Sequence, residues 1–276
     1  MKHLFNRRGF LIAAGIAVTP LSALRAAPAC NLTTEQEEGP YYIGDEKLRR
    51  DITEGRPGVP LVLAVRLVDS KSCAPLQNAA LDIWHCDALG VYSGFAAGGP
   101  PGRPEGPDFR GGGRGRGPGG PGGPARQTDA ARFLRGVQIS DDRGLAEFAT
   151  VYPGWYEGRA IHIHAKVHVG GETGGGIAHV AHTGQFFFPE DLTDRVARMA
   201  PYAKRIEVRR TMQTEDHVFT SQHGAGGMLN MERLGKADSD GFRATITVAI
   251  DVEATPAPAG GGGRGRGRGG PPPRPY

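Results

Sequence analysis

The chain has 276 residues, of which 44 are Gly and 22 are Pro, with a formal net charge of +4. That composition approaches the disordered class, but the excess sits in two segments, 98–124 and 256–276, and the rest is ample for one globular domain. The glycines keep no three-residue period, which excludes a collagen-like chain. The surplus positive charge lies in the first 29 residues and the tail, so the mildly acidic middle lacks the footprint of specific nucleic-acid binding.

Residues 1–29 read as an export signal. Met1–Arg8 is basic, Gly9–Leu24 is uncharged and apolar, and the small residues Ala26-Ala27-Pro28-Ala29 follow. The apolar stretch is short of the roughly 20 residues a membrane span needs, so no transmembrane span is expected. Asn6-Arg7-Arg8-Gly9-Phe10-Leu11 resembles a twin-arginine signal. The expected location is therefore periplasmic or extracellular. Cys30, Cys73 and Cys86 then meet an oxidising compartment, where three cysteines allow one disulfide and one leftover thiol without selecting the pair.

Residues 30–255 read as mostly strand. Leu61–Val68, Ala80–Cys86, Gly136–Ser140, Ala146–Tyr152, Arg159–Val169, Gly184–Phe188 and Ala244–Val252 are short and rich in Val, Ile, Phe and Thr. Turn signals separate them: Asp141-Asp142-Arg143-Gly144, Pro153-Gly154, Gly170-Gly171 and Asp238-Ser239-Asp240-Gly241. Helical periodicity is scarce, with Asp191–Ala200 the best candidate. The expected class is all-β, an antiparallel β-sandwich with long loops and little helix. Segment 98–124 becomes a Gly/Pro/Arg-rich loop insertion and 256–276 a disordered Arg/Gly/Pro-rich tail.

The densest run of potential ligands is Ile161-His162-Ile163-His164-Ala165-Lys166-Val167-His168. In a strand His162 and His164 project from one face, about 7 Å apart at the backbone, and can converge on one metal ion. His168 shares that face two pleats further along. Upstream, Tyr152-Pro153-Gly154-Trp155-Tyr156 and Gly90-Val91-Tyr92-Ser93 place tyrosines near turns, where a packing role is the ordinary expectation.

Four motifs in order change that expectation: Glu38-Gly39-Pro40-Tyr41-Tyr42, Asp82-Ile83-Trp84-His85 through Tyr92-Ser93, Pro153-Gly154-Trp155-Tyr156, and Arg159-Ala160-Ile161-His162-Ile163-His164. Together they resemble the intradiol ring-cleavage dioxygenases, the catechol and protocatechuate dioxygenase family, over about residues 33–250. The resemblance implies a non-haem Fe(III) held by Tyr92, Tyr156, His162 and His164, a hard cation suited to phenolate oxygen and imidazole. Tyr152 is the rival to Tyr156. It also implies that a catecholic substrate and O₂ react to give a muconate-type diacid. Tyr156 would double as a base, and Arg159 would stabilise anionic ring character. Gln185 resembles a pocket glutamine of the family, and Glu38, Tyr41 and Tyr42 are candidates for lining the pocket.

Two other readings compete. In one, His162, His164 and His168 hold zinc for a hydrolase; in the other, the sandwich is a non-catalytic binding module. A homo-oligomer is compatible with the sequence, which does not select an oligomeric state.

Overall fold

The computed structural model describes residues 30–44, 47–96, 125–170 and 179–257. The export signal, segment 98–124 and the tail from residue 258 onward lie outside the described residues. Its elements are β1 (Pro60–Asp69), β2 (Ala80–Trp84), β3 (Arg135–Ile139), β4 (Leu145–Val151), β5 (His162–Val169), β6 (His179–Phe187), α1 (Glu190–Ala197), α2 (His217–Ser221), β7 (Asn230–Arg233) and β8 (Phe242–Ile250). Neither helix, nor any other among the described residues, is long and apolar enough to cross a membrane.

Two four-stranded sheets, ordered β4-β1-β8-β7 and β3-β2-β5-β6, make the expected sandwich. The second sheet is antiparallel throughout. The first contains one parallel pair, β1 with β8. These strands come from opposite ends of the domain, so the chain has ample length for the crossover that parallel pairing requires. Strand β7, with one half-buried Met among exposed polar residues, lacks the alternation that marks a strand in sequence.

Period-2 patterning builds the core. Leu61, Leu63, Val65 and Leu67 of β1 face Leu81, Ile83, Ile163, Ala165 and Val167 of the second sheet in one cluster that also takes Phe148, Phe242, Ala244, Ile246 and Val248. Placing Ile163, Ala165 and Val167 inward sends His162, His164, Lys166 and His168 to the outer face of β5. That outer face is nevertheless buried, with His162 and His164 at 2% and 1% exposure.

The cover includes residues 30–43, a strap running along the free edge of β6. Gln36 N donates to Thr183 O at 2.8 Å, and the Gln36 side chain accepts from Gln185 N at 2.7 Å. Thr33 N reaches Ala249 O at 2.8 Å on the neighbouring sheet. The strap thus caps an otherwise unpaired edge. A Cys30–Cys73 disulfide pins its start to the turn after β1, closing a sequence separation of 43 residues. Cys86 is the free, buried cysteine among the three, and burial raises its pKa.

This pairing gives a defined thiol count. A thiol reagent finds no reactive group in the native protein, one after denaturation and three after denaturation with reduction. Cys73→Ser should lower unfolding stability by up to about 4 kcal/mol, the chain-entropy value for a loop of this length, as read by denaturant unfolding. A native protein in which Cys86 reacts readily would contradict the assignment.

Candidate active site

His162 and His164 converge more tightly than their backbone spacing suggests. Their Nε2 atoms lie 3.0 Å apart and their rings meet edge to face at 4.6 Å. The His162 Nδ1–H donates to Ala160 O at 2.6 Å, which leaves Nε2 as the bare nitrogen. The His164 ring lies flat on Trp84, with centroids 4.8 Å apart and planes 2° from parallel. Burial holds both imidazoles far below their usual pKa, assisted by Arg159 at His162 and by His162 at His164, so both are neutral. Two neutral imidazoles with facing Nε2 atoms need a shared proton, an outside donor or a cation.

Two phenols complete the cluster. The Tyr156 hydroxyl donates to His162 Nε2 at 3.2 Å. The Tyr92 ring packs edge-on to Tyr156 at 5.9 Å and tilted to His164 at 6.2 Å. The Tyr92 hydroxyl is buried with no well-formed hydrogen bond, and the Tyr156 phenol is near enough that each perturbs the other's ionisation. Burial raises both phenol pKa values well above the usual one, so neither ionises here without a strong local positive charge.

The tyrosines sit on loops cross-tied to each other. Asp87 accepts from Leu89 N and Val91 N, both at 2.9 Å, and its carbonyl accepts from Gly154 N at 3.0 Å. Arg56 pairs with the same carboxylate. Gly90 takes φ 78°, and a Cβ there would lie 2.2 Å from Trp155 O, so only glycine lets the two loops approach. Arg205 donates to both Leu89 O and Trp155 O, joining the Tyr92 loop to the Tyr156 loop.

Arg159 stands behind the cluster. Its Nε donates to Asp216 at 3.1 and 3.2 Å, its NH1 to Glu37 Oε1 at 3.3 Å, and its NH2 to Gln185 Oε1. The Gln185 amide donates to Glu37 O at 2.9 Å. Asp216 also takes the Ala160 N–H at 2.8 Å and caps α2 through Val218 N at 2.8 Å. One buried carboxylate therefore fixes both Arg159 and the residue whose carbonyl orients His162.

The structure brings Tyr92, Tyr156, His162 and His164 together, with Arg159 and Gln185 beside them. Tyr152 is elsewhere: its hydroxyl meets Thr193 Oγ1 at 2.7 Å inside the sandwich core. His168 lies about 13 Å along the strand from His164, cross-strand from Ala80. No metal-binding group of three or more His, Cys, Asp or Glu forms among the described residues, so the three-histidine zinc arrangement is not built. Tyr41 stacks on Tyr92 at 4.6 Å, Tyr42 packs on Trp84 at 4.9 Å, and Glu38 pairs with Lys166. Asp216, Glu37 and Trp84 enter as site residues only from the structure. Asp216 had a local signal as a helix N-cap, but nothing in its neighbourhood names Arg159 as a partner.

Comparison with solved structures decides the family. The intradiol ring-cleavage dioxygenase from Tetranychus urticae is 31% identical, superposes with a TM-score of 0.67, and aligns over 82% of this chain and 98% of its own. The dioxygenase Tetur07g02040 gives the same identity, coverage and TM-score. The chain belongs to the intradiol ring-cleavage dioxygenases. No protein-family model matches the sequence, and no curated protein matches it. As a member of this family the protein is an oxidoreductase, and the zinc-hydrolase and non-catalytic readings are set aside.

The Asp216 junction can be tested for stability. Asp216→Ala takes from Arg159 its buried carboxylate and from the Ala160 N–H its acceptor. It should cost about 3 kcal/mol or more in denaturant unfolding, the scale for breaking a buried ion pair from one side. A loss below about 1 kcal/mol would mean that Arg159 is held without it.

Proposed function

We propose that the protein cleaves a catecholic ring between its two hydroxylated carbons with O₂, using a non-haem Fe(III) held by Tyr92, Tyr156, His162 and His164. The observation that carries the reading is the convergence of two phenol oxygens and two imidazole nitrogens in one dry cluster. The donor set fits the ion. The unpartnered Tyr92 hydroxyl and the facing Nε2 atoms are groups that a hard cation would satisfy together, and phenolate oxygen is a ligand ferric iron prefers. When bound, such an ion supplies a Lewis-acid and one-electron centre that makes a catechol dianion reactive toward O₂.

The chain's own residues supply orientation and proton movement. The Ala160 carbonyl fixes the His162 tautomer. A catechol must lose two protons to bind as a dianion, and a Tyr156 phenolate oxygen beside His162 is a base within reach. The Arg159 guanidinium, locked by Asp216 and Gln185, places a fixed positive charge where ring anion character develops. The Trp84, Tyr41 and Tyr42 rings keep water from the imidazoles and phenols. Export through the twin-arginine-type leader is part of the proposal, and the Cys30–Cys73 disulfide supports an oxidising compartment.

Iron-loaded protein should show a visible charge-transfer band, shift it on adding catechol, and consume O₂ with formation of a muconate-type diacid. Tyr92→Phe and Tyr156→Phe should each bleach or move the band and lower turnover on the order of 10² or more, the scale of a lost base. Chelating the iron should abolish both signals. Retention of colour and oxygen uptake in both Phe variants would overturn the ligand assignment.

A further inference from the structure

The strap carries an acidic run, Glu35, Glu37 and Glu38; Glu35 and Glu38 each meet a basic side chain of the sheet beneath, and Glu37 meets Arg159 on the connection into β5. Glu35 Oε1 contacts His182 Nδ1 at 2.5 Å. Glu38 pairs with Lys166, whose Nζ lies 3.5 Å from the centre of the Tyr42 ring. Glu37 Oε1 reaches Arg159 NH1 at 3.3 Å.

The charge balance around Arg159 is what matters for a substrate. Its one positive charge is shared between Asp216, whose side chain is fully buried, and Glu37, whose side chain is 27% exposed. Two other guanidinium groups near the tyrosine loops are held in place by neutral oxygens: Arg135 by the Ser93 hydroxyl at 2.8 Å and carbonyl at 3.0 Å, Arg205 by the Leu89 and Trp155 carbonyls. Glu37 does not swing freely. Its N–H donates to Gln222 Oε1 at 2.8 Å and its carbonyl accepts from Gln185 Nε2 at 2.9 Å. A fixed, partly hydrated carboxylate therefore stands beside the cation that would otherwise receive an anionic substituent.

We propose that Glu37 is a specificity-determining residue of the ring-cleavage reaction, and that its carboxylate sets the charge of ring substituent the site accepts. Neutral and cationic catechols are favoured, and catechols bearing a carboxylate are rejected. The inference rests on the ring-cleavage reading above. Its physical basis is like-charge repulsion from a fixed, part-exposed carboxylate whose ionic partner, Arg159, is already shared with Asp216.

The test is equilibrium binding without O₂, by calorimetry on the full iron-loaded chain, with three probes of one scaffold: catechol, 3,4-dihydroxybenzoate and 4-(2-aminoethyl)catechol. Wild type should bind the carboxylate on the order of tenfold more weakly than catechol, and the ammonium at least as well as catechol. Glu37→Gln should shrink the carboxylate-to-catechol ratio to about twofold, and Glu37→Asp, which keeps the charge, should preserve the wild-type order. In wild type alone, raising ionic strength should narrow the same ratio, because a charge effect is screened and a steric one is not. The inference fails if Glu37→Gln keeps the wild-type ratio, if the ratio ignores salt, or if wild type prefers the carboxylate. Oxygen uptake in wild type is the separate check on ring cleavage: none with any probe would sink that reading, whatever the order of binding.

Discussion

Everything at the site depends on burying a polar strand face. Strand alternation obliges His162 and His164 to leave the core when Ile163 and Ala165 enter it, and an outward face is ordinarily solvated. Here the strap and the tyrosine loops remove the water. Two imidazoles and two phenols are then left in a medium where none of them ionises by itself. Desolvation makes the cluster costly on its own, and on the proposed reading one bound ion would satisfy all four groups and lower both phenol pKa values together. The same dryness strengthens every charge interaction around it, which gives Arg159 and Glu37 influence from the rim.

The cover is therefore as much a part of the site as the donors. Gly39 illustrates this within the strap. Its φ is 73°, and an added Cβ would sit 3.0 Å from His164 Cε1, so the strap closes on the imidazole edge only because no side chain intervenes. Trp84 holds the ring's face while Gly39 limits its edge. A strap in this position must be fixed at both ends. The disulfide secures its start, and stacking of Tyr41 on Tyr92 and Tyr42 on Trp84 secures its end. Between them, each glutamate meets its own basic group.

Residues that act through local periodicity could be read directly from the chain. The His162/His164 pair, the inward Ile163 and the alternating apolar positions of β1 follow from period 2 alone, and the sandwich follows from the number and shortness of such runs. What was not legible depends on partners distant in sequence. Asp216 lies 57 residues from Arg159, and its local pattern announces only a helix start. Glu37 meets Arg159 from 122 residues away. The parallel register of β1 with β8 has no signature in either strand. Tyr152 and Tyr156 are equivalent by composition and separated by one turn. Only the resemblance favoured the second, and only the fold puts the Tyr152 hydroxyl against Thr193. Cysteine pairing was open for the same reason: Cα atoms 5.5 Å apart at Cys30 and Cys73 are a property of the folded path.

The wiring of Arg159 shows how more than one acid holds a buried guanidinium at the site. A guanidinium held by a single buried carboxylate forms a closed pair with little field left for a substrate, and a free one would be mobile and hydrated. Asp216 approaches through Nε, at the base of the fork, and is occupied as well by the Ala160 N–H and the α2 cap. Gln185 orients NH2 with a neutral oxygen, which fixes direction without cancelling charge. Glu37 meets NH1 at the longest of the three contacts, from the exposed side. Buried negative charge, neutral dipole and hydrated negative charge are thus graded from the interior to the mouth. Such a gradient leaves the guanidinium charge acting on the Tyr156 phenol while its outer side already has an acid.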